Sequence, residues 1–210
     1  MRRVDPHVHT SASFDCEVSP RVVAERARRL GLSPIFITDH DTIAGALELR
    51  AAGIPTVVGE EIMTSAGELI GLFLDTAIPP GLDPHETVRR IKDQVGLVYV
   101  QHPFDTRRRA LREEALEDIL DQVDVIEVFN ARADPSMNAR AEELCASTDA
   151  QPGGGSDAHT LRELGRCYIE LGSLSPPPNS SSNCAGRELC GRVAHSKMGL
   201  RERFRRVASS

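Results

Sequence analysis

Short runs of β-branched and other apolar residues recur along this chain with helical stretches between them. That alternation limits the fold more than any other feature of the sequence. "PIFIT" (34–38), "PTVVG" (55–59), "GLVYV" (96–100) and "DVIEVF" (124–129) read as buried strands. "ELIGLFL" (68–74) follows the turn "SAG" and pairs, on this reading, as a hairpin with the "EEIMT" stretch before it; "CYIEL" (167–171) is a last strand. The helices carry start signals. Ser19 and Pro20 set a cap and a first-turn proline before "RVVAERARRLG", and Gly31 closes the far end. Asp83, Pro84 and Glu86 repeat the device as a capping box, and Thr160 with Glu163 has the form of a third. Strands alternating with helices of this length imply βαβ units and a parallel sheet, open or closed into a barrel.

The pattern holds to about residue 172, the size of one ordinary domain. Residues 173–186, "SLSPPPNSSSNCAG", then read as a linker or loop, and 187–210 as a basic tail, with a short helix or no order around Leu200 to Val207. A formal net charge of −6 argues against a general nucleic-acid or membrane-surface binder. No apolar run approaches the roughly 18 residues that span a bilayer. The basic start lacks the apolar stretch of a secretory signal. Five cysteines, an odd number with no CxxC pair, point to free thiols in a reducing cytoplasm. With no tryptophan and two tyrosines, little is available to stack single-stranded nucleic acid.

Polar residues interrupt the pattern where a βα architecture does its chemistry, at the C-terminal ends of strands and the loops after them. "PIFIT" is followed by Asp39, His40 and Asp41, "PTVVG" by Glu60 and Glu61, and "GLVYV" by Gln101 and His102. "DVIEVF" contains Glu127 and leads to Asn130, while "GGGS" leads to Asp157 and His159. The opening segment "VDPHVHTSASFD" places His7, His9 and Asp15 in the same way. Of seven histidines, five occupy such positions; His85 falls in a helix start and His195 in the tail. Any one of the five alone reads as a structural histidine, but together they read as metal ligands. Imidazole and carboxylate suit zinc, iron or manganese, and the ligands outnumber what one tetrahedral ion can use. Two or three ions sharing a bridging carboxylate fit the count, and such clusters do hydrolytic chemistry, with phosphoesters as natural substrates.

Taken in order, these residues closely resemble the PHP family, named for polymerase and histidinol phosphatase. The matching segments are "DPHVHTSASFD", "ITDHDT", "GEEIMT", "GELIGLFL", "QHPFD", "IEVFNAR" and "GSDAHT", spanning residues 4 to about 171. The likeness is greatest to the small stand-alone phosphoesterases. It implies an α/β fold, a distorted (β/α)7 barrel over residues 1–172, with up to three divalent ions at the C-terminal face of the strands. By that resemblance His7, His9 and Asp157 hold a first ion, Glu61 bridges the first and second, His102 binds the second, and Asp15, His40 and His159 bind the third. A hydroxide shared between ions attacks phosphorus, and no protein nucleophile is needed. Two positions depart from the family pattern. Glu68 stands where many relatives have a histidine ligand of the second ion. Phe14-Asp15-Cys16 replaces the usual "SDG", which leaves Cys16 as an innocent substitute, a soft ligand or an oxidation-sensitive thiol.

Arg132 in "FNAR" reads as a phosphate ligand or a solvated charge, and Asn130 as a residue that positions a water or Arg132, or caps a turn. Asp39 and Asp41 read as groups that orient His40 or neighbouring loops and do not bind metal. The arginines at 107–109 read as a solvated face or a rim that attracts anions. The glycines of "PGGGS" (152–156) let the backbone pass close to the metals. The functional expectation is a metal-dependent phosphomonoesterase acting on a small phosphorylated metabolite or nucleotide. The alternatives are a 5′ nuclease on short oligonucleotides and a non-catalytic metal-binding structural module. An amidohydrolase with a carbamylated lysine bridge is disfavoured, because Lys92 lies in a helix and Lys197 in the tail.

Overall fold

A computed structural model describes residues 2–171 and the strand at 191–195. Nine strands form: β1 (Arg2–Val4), β2 (Ile35–Ile37), β3 (Thr56–Thr64), β4 (Gly67–Leu72), β5 (Leu97–Val100), β6 (Val125–Asn130), β7 (Gln151–Gly155), β8 (Cys167–Leu171) and β9 (Gly191–His195). Five helices lie between them: α1 (Pro20–Arg29), α2 (Ala44–Ala51), α3 (Pro84–Asp93), α4 (Glu113–Ile119) and α5 (Pro135–Ala146). Strands β2 to β7 make one curled sheet in chain order. It is parallel at β2–β3, β5–β6 and β6–β7, and antiparallel on both sides of β4, where the hairpin read from the sequence interrupts the βα rhythm.

The N-terminal segment fills the gap between β7 and β2. Thr38 N donates to Val8 O at 2.9 Å on one side, and His9 N donates to Ala158 O at 3.0 Å on the other. A ring of seven segments results, matching the distorted barrel implied by the resemblance. Strands β1, β8 and β9 form a small antiparallel sheet.

Because successive side chains in a strand alternate faces, each strand carries one set inward and one outward. Phe36, Val57, Ile70, Leu72, Tyr99 and Val125 meet Val4, Ile169 and Leu171 in an inner core. Continuing along the same faces leads to His40, Glu61, Glu68, Gln101 and Glu127, so the lining turns from apolar to ionisable at one end. The outward set, including Ile37, Val58, Leu69, Val100 and Ile126, packs with helix residues such as Val23, Leu49, Val88, Ile91 and Ile119.

At α3 half of the capping box forms: Asp83 Oδ1 accepts from Glu86 N at 3.1 Å beside Pro84, while the Glu86 carboxylate turns to Arg89 and Arg90. At α1 the proline is in place, but the Ser19 side chain makes no capping bond. Thr160 and Glu163 do not open a helix; residues 161–165 are turns. The Glu163 carboxylate instead accepts from His159 N and Thr160 Oγ1, both at 3.0 Å, and so fastens the loop that carries His159. Residues 191–195, read from the sequence as tail, pair with β8. The linker reading for 173–186 and the helix reading around 200–207 lie outside the described residues. No helix among the described residues is long and apolar enough to cross a membrane.

Candidate metal centre

Glu61 is the hub of the ionisable end. Its Oε2 lies 3.1 Å from both His7 Nε2 and His9 Nε2, and its Oε1 lies 3.2 Å from His102 Nε2. Gln101 Nε2 donates to Oε1 at 2.9 Å. Asp157 Oδ1 faces much of the same set, at 3.7 Å from His7 Nε2, 3.6 Å from His9 Nε2 and 3.4 Å from His159 Nδ1. Asp15 Oδ2 stands 3.0 Å from His159 Nε2 and 3.4 Å from His40 Nε2. Glu68 Oε1 is 3.5 Å from His40 Nδ1, so it approaches the His40 side of the cluster.

These nine residues fall into four groups whose ligand atoms lie within 4.8 Å of one another: His9, Asp15, His40 and His159; His7, His102 and Asp157; His7, His9 and Glu61; and His40, Glu61 and Glu68. His9 thus joins the Asp15 group as well as the Glu61 group, and Glu68 groups with His40, not with His102. Cys16 belongs to none of them. Its Sγ donates to His159 O at 3.3 Å, and burial pushes its thiol pKa up, so a soft-ligand role has no support in the geometry.

Two observations show that the residues fit metal ions. His9 Nε2, fully buried and 3.1 Å from a carboxylate oxygen, makes no hydrogen bond there. Buried carboxylates are also crowded there. Burial opposes protonation of His7, yet Asp157, Glu61 and Glu127 hold its pKa well above the ordinary value. Burial and the neighbouring Glu61 push Glu68 up to about 9, against the pull of Arg109. Both shifts have the direction that crowded buried carboxylates impose. Nitrogen and oxygen ligands without thiolate suit manganese, iron or zinc.

Behind the clustered histidines and carboxylates lies a buried support. Glu127 Oε1 accepts from His7 Nδ1 at 3.1 Å and Tyr99 OH at 3.0 Å; its Oε2 accepts from His102 N at 2.7 Å and Asn130 Nδ2 at 2.9 Å. Asp39 accepts from Thr10 N, Thr10 Oγ1 and Ser13 Oγ, holding the loop after His9, and Asp41 accepts from Met63 N. Asp5 accepts from Ser156 N, Ser156 Oγ and Gly165 N, tying the first segment to the end of β7. His102 and Asp157 hold φ of 29° and 52°, a backbone region that costs energy and is retained where surrounding structure fixes it.

An open cleft of about 250 Å³ lies over the clustered histidines and carboxylates. Phe14, Arg107, Arg108, Arg109 and Arg132 stand on its wall. Arg108 Nη1 is 2.9 Å from Asp157 Oδ2, and Arg132 Nη1 is 3.3 Å from Asp157 Oδ1. All three of the arginines at 107–109 line the cleft; Arg108 turns in to Asp157, while Arg107 and Arg109 stay exposed to solvent as the solvated-face reading has them. Asn130 is fully buried, so it does not reach the cleft itself. Its Oδ1 accepts from the backbone Arg132 N at 2.9 Å and from Arg108 Nη1 at 3.2 Å, so it ties the Arg132 main chain to the Arg108 guanidinium. The sequence does not distinguish Arg108 from its neighbours in the basic run, nor does it show the supporting part of Glu127, a carboxylate inside an otherwise apolar strand.

A barrel whose strand ends gather five histidines and four carboxylates over one cleft has the architecture of a metal-dependent hydrolase. The sequence model of the PHP domain matches residues 5–123, and that of the PHP-associated region matches 135–176. The chain belongs to the PHP domain family. Two uncharacterized proteins of Methanocaldococcus jannaschii are similar to it. One is 39% identical over 143 residues, covering 61% of this chain and 82% of the relative; the other is 38% identical over 179 residues, covering 82% and 72%. A 5′-3′ exoribonuclease of Haemophilus influenzae is 35% identical over 86 residues, 37% of this chain and 31% of the enzyme. Among solved structures, a two-domain protein of Bacteroides vulgatus described as containing a predicted PHP-like metal-dependent phosphoesterase shares the fold. Its TM-score is 0.64 at 22% identity, covering 80% of this chain and 57% of that one.

Proposed function

We propose that the chain hydrolyses a phosphomonoester, a small phosphorylated metabolite or a nucleotide, in a reducing cytoplasm. The observation that carries this reading is the position of Glu61, with two imidazoles at one carboxylate oxygen and a third at the other. A carboxylate so placed can bridge two cations. Bound ions supply a water of lowered pKa and polarise a phosphoryl oxygen. His7, His9, His102 and Asp157 are placed around the bridge, and Asp15, His40 and His159 hold a further position over it. Arg108 and Arg132 offer guanidinium donors where charge on the phosphoryl oxygens grows, and Asn130 holds the Arg108 guanidinium and the Arg132 backbone. No serine, cysteine or lysine nucleophile is called upon.

Phosphate release from a panel of phosphomonoesters, after the protein is stripped and reloaded with manganese, iron or zinc, tests the proposal. Metal-dependent turnover that disappears in His9→Ala supports it. Absence of turnover with every metal, in protein that still binds ions, sinks it and favours the non-catalytic module. A second reading, hydrolysis at the 5′ end of a short oligonucleotide, is favoured by Arg107 and Arg109, which extend the cationic wall beyond the pair at Asp157. Nucleotide release from a 5′-phosphorylated oligonucleotide distinguishes the two.

A further inference from the structure

Four large apolar side chains are exposed among the described residues, Phe14, Val22, Leu47 and Val95, and Phe14 alone of them lies in the cleft. Single exposed apolar residues are ordinary, and it is the position of Phe14 that sets it apart. Phe14 is 71% exposed, and it adjoins Asp15, a member of the metal-ligand set. Its ring centroid is 5.0 Å from that of His40 at a tilt of 32°. The guanidinium carbon of Arg109 is 5.9 Å from the same centroid. Thus an open aromatic face and a flat cation stand together at the mouth of the cleft, one residue away from the groups that would hold the reacting phosphate.

A phosphoryl group does not require such a surface. Its oxygens are served by the floor and by Arg108 and Arg132, which approach Asp157. An exposed phenyl ring beside a guanidinium group suits a planar π system, which stacks on the ring and is attracted by the cation. The group in a phosphomonoester that extends away from phosphorus toward the cleft mouth is the leaving group.

We propose that Phe14 and Arg109 form a leaving-group subsite that selects phosphomonoesters bearing a planar aromatic ring, such as the base of a nucleotide or the ring of an aryl phosphate. This rests on the hydrolytic reading given above and adds the substrate class. Phe14 acts in binding and takes no part in bond cleavage.

The experiment compares adenosine 5′-monophosphate, phenyl phosphate and glycerol 3-phosphate. With metal-loaded wild type, the two ring-bearing substrates have the lower KM. In Phe14→Ala the KM advantage of the ring-bearing substrates over glycerol 3-phosphate falls about tenfold, the size of one lost stacking contact. Phe14→Trp restores it. Because the chain has no tryptophan, Phe14→Trp also introduces a single indole at the site. Its fluorescence, followed by stopped flow in zinc-loaded protein, is quenched by the ring-bearing phosphates and not by glycerol 3-phosphate. Quenching by adenosine 5′-monophosphate but not phenyl phosphate assigns the subsite to a nucleotide base; the reverse assigns it to a simple aryl group. An unchanged KM ratio in Phe14→Ala, or quenching that does not depend on the ring, overturns the proposal. If wild type turns over none of the three while ring-bearing phosphates still quench the indole, the hydrolytic reading falls and the ring subsite stands.

Discussion

His7 Nδ1 donates to Glu127 Oε1 at 3.1 Å, and that bond decides which nitrogen of the imidazole looks into the cleft. Burial alone would raise the Glu127 pKa, but His7 and its other donors keep it below the ordinary value, so the carboxylate is ionised and accepts. Nε2 is left facing Glu61 and Asp157. Glu127 also holds the strained backbone of His102 through its N–H. One buried side chain therefore orients two histidines of the cluster that come from separate segments of the chain.

Glu127→Gln keeps the volume and removes the charge. Metal affinity is expected to fall roughly 10–100-fold, the usual cost of losing a carboxylate behind a histidine ligand. Competition with a chromophoric chelator measures it, and circular dichroism checks that the fold survives. Affinity within twofold of wild type would show that His7 is oriented by other contacts.

Gly155 illustrates a constraint from packing. A Cβ at that position would sit 2.4 Å from the Cβ of His7 and 2.6 Å from Glu127 Oε1. Neither can retreat, because both side chains are fully buried. Gly155→Ala should lose about 1–3 kcal/mol of stability in urea unfolding, together with metal affinity. By contrast, a Cβ at Gly53 meets nothing within 4 Å, although its φ of +74° still strains any side chain there.

The same glycines show what the sequence conceals. Strands β2, β3, β5 and β6 were legible because β-branched residues mark both of their faces, and the ligand segments were legible because histidines cluster at the ends of such runs. Strand β7, "QPGGG", has the composition of a loop, since its neighbours require absent side chains instead of apolar ones. The ring closure was hidden for a different reason: residues 5–9 pair through a few separate hydrogen bonds and not a regular ladder. Thr160 and Glu163 misled because a capping box is only a local preference. Here the carboxylate serves His159 instead. Arg108 was obscured by its neighbours, since nothing in a run of three arginines tells which one turns inward.

Arg108 and Arg132 approach opposite oxygens of Asp157, at 2.9 and 3.3 Å. Under the proposed hydrolysis, Arg108→Ala should lower kcat/KM about 100-fold by removing a donor at the phosphoryl oxygens. Arg108→Lys should recover little of it, because one ammonium cannot take the place of Nη1 beside Asp157, Asp105 and Asn130 and also reach a phosphoryl oxygen. If metal affinity falls in parallel with kcat/KM, then Arg108 supports the ligands and does not contact the phosphate.

The described thiols should be slow to react. Cys16, Cys145 and Cys167 are buried and unpaired. Burial raises all three pKa values, that of Cys145 to about 11. At pH 8 Cys145 would be about one part in a thousand thiolate, and the thiolate is the reacting form. Native protein should therefore take up a maleimide at Cys16, Cys145 and Cys167 far more slowly than urea-unfolded protein, as read by mass spectrometry of peptides. Rapid labelling of Cys16 would assign it the oxidation-sensitive role.

Metal removal should change both the stability and its dependence on pH. Without ions, His7 has a folded-state pKa held well above its ordinary 6.5 by Asp157, Glu61 and Glu127, against the opposing effect of burial. A raised histidine pKa contributes stability that is present below 6.5 and is lost as pH rises through the folded value. Glu68 acts in the same direction. Its folded pKa of about 9, raised by burial and Glu61 from 4.5, means that ionisation at rising pH costs the folded state more than the unfolded one. Glu61 and Asp157 have lowered values, so their contribution is complete above about pH 5 and adds no slope near neutrality. The stripped protein should thus lose Tm between pH 6.5 and 9. Bound cations reverse this, because ligands must shed protons to bind them and affinity grows with pH. At a free metal concentration of 100 Kd the folded state gains about 2.7 kcal/mol, roughly 5–10 °C in a chain of this size. Thermal scans of stripped and reloaded protein across that range should diverge as pH rises. Parallel curves would mean that the five imidazoles and four carboxylates do not share cations.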